Sequence, residues 1–306
     1  MIQKIHFIGY FRISIRILLG LLFVLSAVAK LKSIDQFELY LFSLNLFGFH
    51  FSTFVARFVI SLELFLGVLL ISNLYFRIVY KISLSVLILF SVFLLFNLAS
   101  KENCHCFGDI LTMNPLESLI KNIVFIVLLF TIRHNNSWLW AYRKAALIII
   151  LMAAFFVPSV LSPPDLIHNL IYARHTTEKF QKGKDYIKLS DNTLKYDEGK
   201  KVLCFFSLNC PYCTLAAQKI SIISEQLDKG DAIYFYFYGN PQYIDQFWEQ
   251  SHTEPFAHYA FLPAEEVITV AKGRLPTIIF VENSSVIKRL DYRGFTEKDF
   301  RDFFDK

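Results

Sequence analysis

Five long apolar segments in the first 162 residues restrict what this chain can fold into more than any other feature. They cover about residues 13–29, 54–74, 82–100, 116–132 and 145–161. A helix needs about 20 mostly apolar residues to cross the hydrocarbon core of a bilayer, and each segment comes close to that length. The fourth is the weakest, because Lys121 and Asn122 interrupt it. The sequence therefore predicts a bundle of five transmembrane helices.

Charge separates this apolar part from the rest of the chain. Residues 1–162 contain 13 Lys and Arg and 6 Asp and Glu, whereas residues 163–306 contain 18 and 20. The second part has the charge content of a soluble domain, for which about 25% is usual. We therefore expect a membrane domain over 1–162, a linker over 163–183 and a soluble domain over 184–306. The basic excess lies in the membrane part, so nucleic acid is not an expected partner.

Lys and Arg in the loops predict the orientation of the bundle, because cytoplasmic loops carry an excess of these residues. With the N-terminus inside, eight basic residues and no acidic ones lie on that side: Lys4, Arg12, Arg16, Arg77, Lys81, Arg133, Arg143 and Lys144. An odd number of spans then places the soluble domain outside, with all five cysteines on that face. We expect a multi-pass protein of the cell inner membrane with a cytoplasmic N-terminus and a periplasmic soluble domain.

A Cys-Pro-Tyr-Cys sequence, residues 210–213, lies between a predicted buried strand at 201–206 and a predicted helix at 211–228. A helix N-terminus stabilises a thiolate, lowers its pKa and raises its reactivity. We interpret Cys210 as the nucleophile and Cys213 as the resolving thiol. Half of a zinc site is the alternative for a CxxC pair, but the soluble part has no second CxxC or HxxxH, so no metal is expected.

The soluble part alternates strands and helices around this pair. A small hairpin at 185–196 comes first. The CPYC strand and helix are followed by a strand at 232–238, helices at 241–250 and 264–271, a hairpin over 277–292 and a last helix at 296–304. This order, with Leu275-Pro276-Thr277 before the hairpin, resembles the thioredoxin fold of a TlpA-type domain. The resemblance implies that Pro276 is a cis-proline facing the active-site sulfurs; a strand-initiating proline is the alternative.

Cys204 stands where thioredoxins often carry a buried acid, six residues before the first active-site cysteine. We interpret it as a small buried strand residue, with a third redox thiol as the alternative.

The membrane part also resembles a known family. Its pieces SAVAKL (26–31), Glu63-Leu64 followed by Gly67, and CHCFG (104–108) are similar to the MauE/DoxX family of four-helix membrane proteins. The resemblance covers about residues 11–135. Such proteins work with a thioredoxin-like partner in forming disulfides, and DoxX relatives are linked to quinone. The implied fold is a four-helix MauE/DoxX-like bundle with a fifth transmembrane helix, followed by an α/β thioredoxin-fold domain.

The Cys104-His105-Cys106 loop is the second cysteine pair on the outer face. A C-x-C disulfide closes a small strained ring and is therefore labile, which favours exchange with the CPYC pair. A metal site and a static loop staple are the alternatives.

Glu63 and Arg57 are ionisable residues at membrane depth, and we expect such residues to have a functional role. With His105 they are assigned to binding of quinone or handling of protons. For Glu63 the alternative is a polar clasp between helices, and for Arg57 it is a snorkelling anchor.

These features together predict a membrane-bound thiol–disulfide oxidoreductase. Client thiols would reduce the CPYC disulfide, its electrons would pass to Cys104 and Cys106, and the bundle would pass them to a quinone. The partners are then periplasmic client proteins with thiols or disulfides, and the lipid membrane. Two alternatives stay open: the same relay acting as a periplasmic disulfide reductase, as in cytochrome c maturation, or a non-catalytic membrane-anchored assembly or chaperone module.

Overall fold

A computed structural model describes residues 2–46, 48–96, 114–133, 142–165, 167, 187, 189–190, 194 and 196–305. The chain divides into two compact units, Met1–Leu41 with Phe51–Pro164, and Phe42–His50 with Asp165–Lys306. The main division therefore comes two residues after the predicted end of the membrane domain. The predicted linker at 163–183 lies mostly outside the described residues, and its boundaries stay a prediction.

The apolar part forms long helices. Their bounds are α1 (Ile2–Lys32), α2 (Ile34–Ser43), α3 (Phe49–Ser72), α4 (Phe76–Phe96), α5 (Pro115–Ile132) and α6 (Arg143–Leu161). Five of these six described helices, all but α2, are long and apolar enough to cross a membrane. The predicted five spans are confirmed, and the chain is a multi-pass membrane protein. The sequence prediction did not include α2, whose ten residues are too short to cross a bilayer.

Helices α1 and α3 approach closely at a pair of glycines. A Cβ placed on Gly67 would lie 2.8 Å from the carbonyl oxygen of Gly20, and a Cβ on Gly20 would lie 2.8 Å from that of Gly67. Small residues permit such close backbone contact between membrane helices. The buried side chains of Leu19, Phe23 and Leu66 pack in the same core cluster. The glycine that the sequence singled out in the second span therefore serves helix packing.

Helix α5, the weakest of the predicted spans, has a well-defined start. Asn114 is its N-cap: its side chain accepts a hydrogen bond from the Glu117 N–H at 2.8 Å, while the Glu117 carboxylate accepts one from the Asn114 N–H at 3.0 Å. Pro115 occupies the first helical position, where its missing N–H costs nothing. This reciprocal capping satisfies backbone donors that the helix itself leaves free.

The described residues of the second unit contain a five-stranded mixed sheet. Its elements are β1 (Lys200–Ser207), α7 (Pro211–Leu227), β2 (Ile233–Tyr238), α8 (Ile244–Gln250), β3 (Tyr259–Phe261), α9 (Ala264–Val270), β4 (Thr277–Glu282), β5 (Ser285–Asp291) and α10 (Glu297–Phe304). The strand order is β3-β2-β1-β4-β5, with β1, β2 and β3 parallel and β4 and β5 antiparallel to their neighbours. This is the topology of the thioredoxin fold, and the predicted fold class is confirmed.

Strand β1 lies at the centre of this sheet. Residues 202–206 are fully buried, which accounts for their unbroken apolar sequence, since a central strand is covered on both faces. A two-residue turn joins β4 and β5, with positive φ at both Asn283 and Ser284, as a hairpin turn that matches strand twist requires. The short strand β3 was not predicted. The predicted hairpin at 185–196 lies mostly outside the described residues, and the residues described there, such as Ile187 and Tyr196, are not in strands.

The segment Phe42–His50 belongs to the second unit because of contacts around one buried lysine. The ammonium of Lys219 on α7 lies 3.5 Å from the ring centroid of Phe49 and 4.5 Å from that of Phe295. The Phe49 N–H also donates a hydrogen bond of 3.1 Å to the Glu297 carboxylate. Aromatic faces stabilise a cation that has lost its water, which explains how Lys219 can be fully buried.

Candidate functional site

Cys210 and Cys213 lie at the junction between β1 and α7, and both are free thiols. Cys210 is the N-cap residue of α7 and has an extended backbone conformation. Its carbonyl accepts hydrogen bonds from the Cys213 N–H at 2.9 Å and the Thr214 N–H at 3.3 Å. Cys210 is half-buried, whereas Cys213, almost one turn further along, is fully buried.

This geometry separates the acidities of the two thiols. The pKa of Cys210 is lowered to about 6, chiefly because the Cys213 thiol donates a hydrogen bond to its sulfur. Burial opposes this shift, and the backbone N–H groups of Cys213 and Tyr212 add to it. The pKa of Cys213 is raised far above its usual range by burial and by its bond to Cys210. Cys210 is therefore a thiolate near neutral pH and Cys213 a thiol, which is the division of roles between an attacking and a resolving cysteine.

Pro276 lies at the same end of the sheet as this pair. The Leu275–Pro276 peptide bond is cis, as the resemblance to the thioredoxin fold implies. Thr277, the next residue, pairs with Phe205 of β1, so Pro276 is placed towards the carboxyl end of β1, from which the chain runs to Cys210. The Thr277 hydroxyl donates to the Arg274 carbonyl at 2.6 Å and closes the turn before β4. The role of Pro276 in holding a client remains a prediction.

Cys204 occupies the middle of β1, between Phe235 of β2 and Ile278 of β4. It is fully buried, and burial raises its pKa well above the usual range. A neutral thiol inside a sheet has neither the charge nor the access that exchange needs. The structure therefore favours the interpretation of Cys204 as a strand residue over a third redox thiol.

Glu63 forms an ion pair between two membrane helices. The Lys30 ammonium of α1 donates to both Glu63 oxygens, at 2.6 and 2.7 Å, and to the Ser26 hydroxyl at 3.0 Å. Lys121 of α5 lies within electrostatic range of both charges. Ser26 and Lys30 belong to the SAVAKL segment, so two of the pieces that suggested the family meet here. The structure therefore pairs Glu63 with Lys30, and the assignment of Glu63 to quinone binding or proton handling stays a prediction.

Arg57 forms a second, separate ion pair with Glu38 of α2. Its guanidinium also donates to the Thr53 carbonyl at 2.9 Å and, through two nitrogens, to the Ser162 carbonyl at 3.2 and 3.1 Å. Arg57 is buried, and its charge is paired with Glu38 on α2, a helix that the sequence prediction did not include.

Part of the membrane region is similar in sequence to a known protein family. Residues 8–135 match the family of the methylamine utilisation protein MauE. The predicted resemblance over about 11–135 is thereby confirmed, and the matched residues include most of α1 and all of α2 to α5, with α6 after them.

A relative spans both units of the chain. Protein TlpB of Flavobacterium psychrophilum is 26% identical over an alignment of 352 positions including gaps, which covers 95% of this chain and 94% of the relative. The alignment therefore includes the MauE-like residues and the thioredoxin-fold domain together. This supports the interpretation of the chain as a fusion of the two.

Three predicted site residues, Cys104, His105 and Cys106, lie outside the described residues. The remaining predicted residues fall into three groups: Cys210, Cys213 and Pro276 at one end of the sheet, Glu63 with Lys30, and Arg57 with Glu38. The sequence interpretation did not single out Glu38. The separation of Glu38 and Arg57 along the sequence follows no helical periodicity that would predict their contact, because the two residues lie on different helices.

Proposed function

We propose that this chain is a membrane-bound thiol–disulfide oxidoreductase that oxidises client thiols through Cys210 and Cys213. The observation that supports it most directly is the half-buried Cys210, with a pKa of about 6, beside a fully buried Cys213 thiol. A zinc site or a structural pair has no need of this asymmetry. Thiol–disulfide exchange does need this asymmetry, because the attacking sulfur must be ionised and the resolving sulfur must be held close and protonated.

The reaction with a client proceeds in two exchanges. A client thiolate attacks the Cys210 sulfur of the oxidised pair, the Cys210–Cys213 bond breaks, and Cys213 leaves with the electron pair and takes a proton. A second client thiolate then attacks the client sulfur of the mixed disulfide and releases Cys210 as a thiolate. The client gains one disulfide, and the CPYC pair gains two electrons.

The same chemistry returns the pair to its oxidised form through the second cysteine pair of the chain. The Cys210 thiolate attacks one sulfur of a Cys104–Cys106 disulfide, and Cys213 then resolves the mixed disulfide. Two electrons reach Cys104 and Cys106, and the CPYC disulfide is restored. The support for this step is the sequence alone, which places both pairs on one predicted face of the membrane.

A stabilised Cys210 thiolate makes the reduced pair more stable and hence the disulfide a stronger oxidant than one between ordinary thiols. A pKa of about 6 is nearer to that of thioredoxin, about 7, than to that of the strongly oxidising DsbA, about 3.5, so the acidity alone does not select the oxidase over the reductase alternative.

A quinone is the acceptor class that the family resemblance implies, and it stays a prediction. In this arrangement both Glu63 oxygens accept from Lys30, and Arg57 donates to Glu38 and to two backbone carbonyls. We derive no step through these two residues, and their assignment to the quinone stays a prediction.

The proposal is tested with the purified full-length protein, a reduced dithiol client and a soluble quinone. We expect client oxidation coupled to quinone reduction, loss of both after Cys210→Ser, and loss of quinone reduction after Cys104→Ser. Cys204→Ser is the matched control and should retain both activities, since that thiol is buried away from the site. Full quinone reduction in the Cys104→Ser variant would remove the relay, and absence of client oxidation in the unmodified protein would remove the proposal.

A further inference from the structure

A groove beside Cys210 has no role in the chemistry above. It lies on the β2 side of the cysteine, whereas Pro276 precedes β4 on the other side of β1. Its walls come from the loop before Cys210, including Asn209, and from one side of α8, including Gln246. Its volume is about 220 Å³, below the roughly 300 Å³ at which small-molecule pockets begin. The groove therefore suits one or two amino-acid side chains next to the reacting sulfur.

The groove is held in shape by packing beneath it. Phe247 of α8 is buried, and its ring centroid lies 4.9 Å from that of Phe237 on β2 and 6.0 Å from that of Phe206 on β1. On the other wall the Leu208 N–H donates to the Tyr238 carbonyl at 3.3 Å. Leu208 and Phe247 form an apolar floor that is attached to two central strands. A wall fixed in this way is present before any ligand arrives.

The polar lining is neutral. It consists of three side-chain amides and one phenol, from Asn209, Gln246, Gln250 and Tyr243, and all four residues are exposed. Each amide offers both donors and acceptors, which complement the N–H and C=O groups of a peptide backbone. Of the described residues that line the groove, none is a lysine, arginine or carboxylate. A ligand recognised by its charge, such as a small peptide with free carboxylates, would find no counter-ion here.

We infer that this groove binds a short extended segment of polypeptide that flanks the cysteine reacting with Cys210, and that Gln246 and Gln250 are its specificity-determining contacts. The inference rests on the proposed function and deepens it by naming the part of the client that the protein recognises. The occupant is the stretch of a client protein on either side of its reacting cysteine. The chain's own residues 101–109 carry Lys101, Glu102 and Asp109, for which the neutral lining offers no counter-ion, and they are the other outcome of the test.

The test compares two reagents that carry the same 2-thiopyridyl leaving group on a cysteine. One is the single blocked residue N-acetylcysteine amide, and the other is a nonapeptide. The protein is the full-length chain with Cys104→Ser, Cys106→Ser and Cys213→Ser, which leaves Cys210 as the accessible thiol. Its thiolate attacks the reagent's cysteine sulfur, a mixed disulfide forms, and 2-thiopyridone leaves with the electron pair and takes a proton. Release of 2-thiopyridone gives the rate.

Gln246→Trp fills the groove, and Gln246→Ala with Gln250→Ala removes its amides without adding bulk. We expect both variants to react about tenfold more slowly with the peptide, the effect of losing one or two hydrogen bonds, and at an unchanged rate with the single residue. Asp245→Trp is the matched control: it adds the same bulk one position earlier on α8, where the side chain lines a different surface with Trp248. It should leave both rates unchanged.

Two peptides separate the sources. One has the sequence of residues 101–109 with Cys106 replaced by serine, and the other has an unrelated sequence around one cysteine. Slower reaction of the unrelated peptide in the groove variants supports the inference, whereas slower reaction of the 101–109 peptide alone would assign the groove to the chain's own loop and overturn the client as its occupant. Unchanged peptide rates in both groove variants, or equal slowing of peptide and single residue, would overturn the inference. Failure of the starting protein to react with either reagent would instead overturn the proposed function.

Discussion

At the scale of single residues, the hydrogen bond from Cys213 to Cys210 is the largest single cause of the low pKa of the nucleophile. The pKa of Cys210 lies below its usual value, so the thiolate is present above about pH 6 and is lost as the pH falls through that value. We expect the rate of Cys210 alkylation by iodoacetamide to rise with pH around a midpoint of about 6.

Two substitutions at Cys213 isolate the effect of its hydrogen bond on the pKa of Cys210. Cys213→Ser keeps a donor and should leave the midpoint low, whereas Cys213→Ala removes it and should move the midpoint up towards the ordinary value of about 8.5. Measurement of both midpoints by alkylation in otherwise cysteine-free protein checks this. Identical midpoints in the two variants would mean that the helix N-terminus, and not Cys213, sets the acidity.

The Lys30–Glu63 pair gives a second prediction at this scale. Lys30 is almost fully buried, so its removal leaves a carboxylate at membrane depth without its partner. Breaking a buried ion pair by deleting one member costs about 3–5 kcal/mol. We expect Lys30→Met to lower the stability of the detergent-solubilised protein, measured by denaturant unfolding. The double variant Lys30→Met, Glu63→Leu should recover most of the loss, and a double variant no better than the single one would contradict a purely structural clasp.

At the scale of elements, the crossing of α1 and α3 depends on the absence of side chains at two positions. Gly67→Val would place a Cβ 2.8 Å from the Gly20 carbonyl oxygen, and backbone atoms on α1 cannot move without shifting the helix. Overpacking of this kind costs roughly 1–3 kcal/mol. We expect a lower unfolding midpoint for this variant. Gly230→Ala has open space around its Cβ and serves as the control, with little change expected.

The start of α5 shows what local sequence can determine at this scale. Asn114, Pro115 and Glu117 carry a complete capping signature, and the helix begins where they place it, at Pro115. The polar residues that weakened this span in the sequence have tertiary roles instead. Asn122 is buried, and Lys121 interacts with Lys30 and Glu63 on other helices.

At the scale of the whole molecule, the predicted orientation places Cys210 on the periplasmic side. We expect a membrane-impermeant maleimide to label Cys210 in intact spheroplasts. A cysteine introduced as Tyr142→Cys, next to Arg143 at the predicted cytoplasmic start of α6, should be labelled only after lysis. This substitution removes no basic residue, so it leaves the charge bias that orients the protein. Labelling of Tyr142→Cys before lysis would reverse the predicted topology.

The direction of electron flow is also a property of the whole molecule. Acid quenching followed by thiol trapping in cells should find Cys210 and Cys213 mostly as a disulfide if the chain oxidises its clients. A mostly reduced pair would favour the reductase alternative. Loss of the Cys210–Cys213 disulfide in Cys106→Ser cells, with no change in Cys204→Ser cells, would identify the C-x-C loop as the oxidant of this pair.

Much of this protein is determined by the sequence alone, because the signals involved are local. Apolar runs of membrane length predict the spans, an unbroken apolar run predicts β1, and CPYC between a strand and a helix predicts a reactive thiol at a helix N-terminus. Tertiary structure decided what depends on residues far apart in the chain. It paired Glu63 with Lys30 and Arg57 with Glu38, and it placed α8 beside Cys210 to form a groove. These contacts join different elements across the fold, so no spacing along the sequence encodes them, and only the packed arrangement brings the partners within reach.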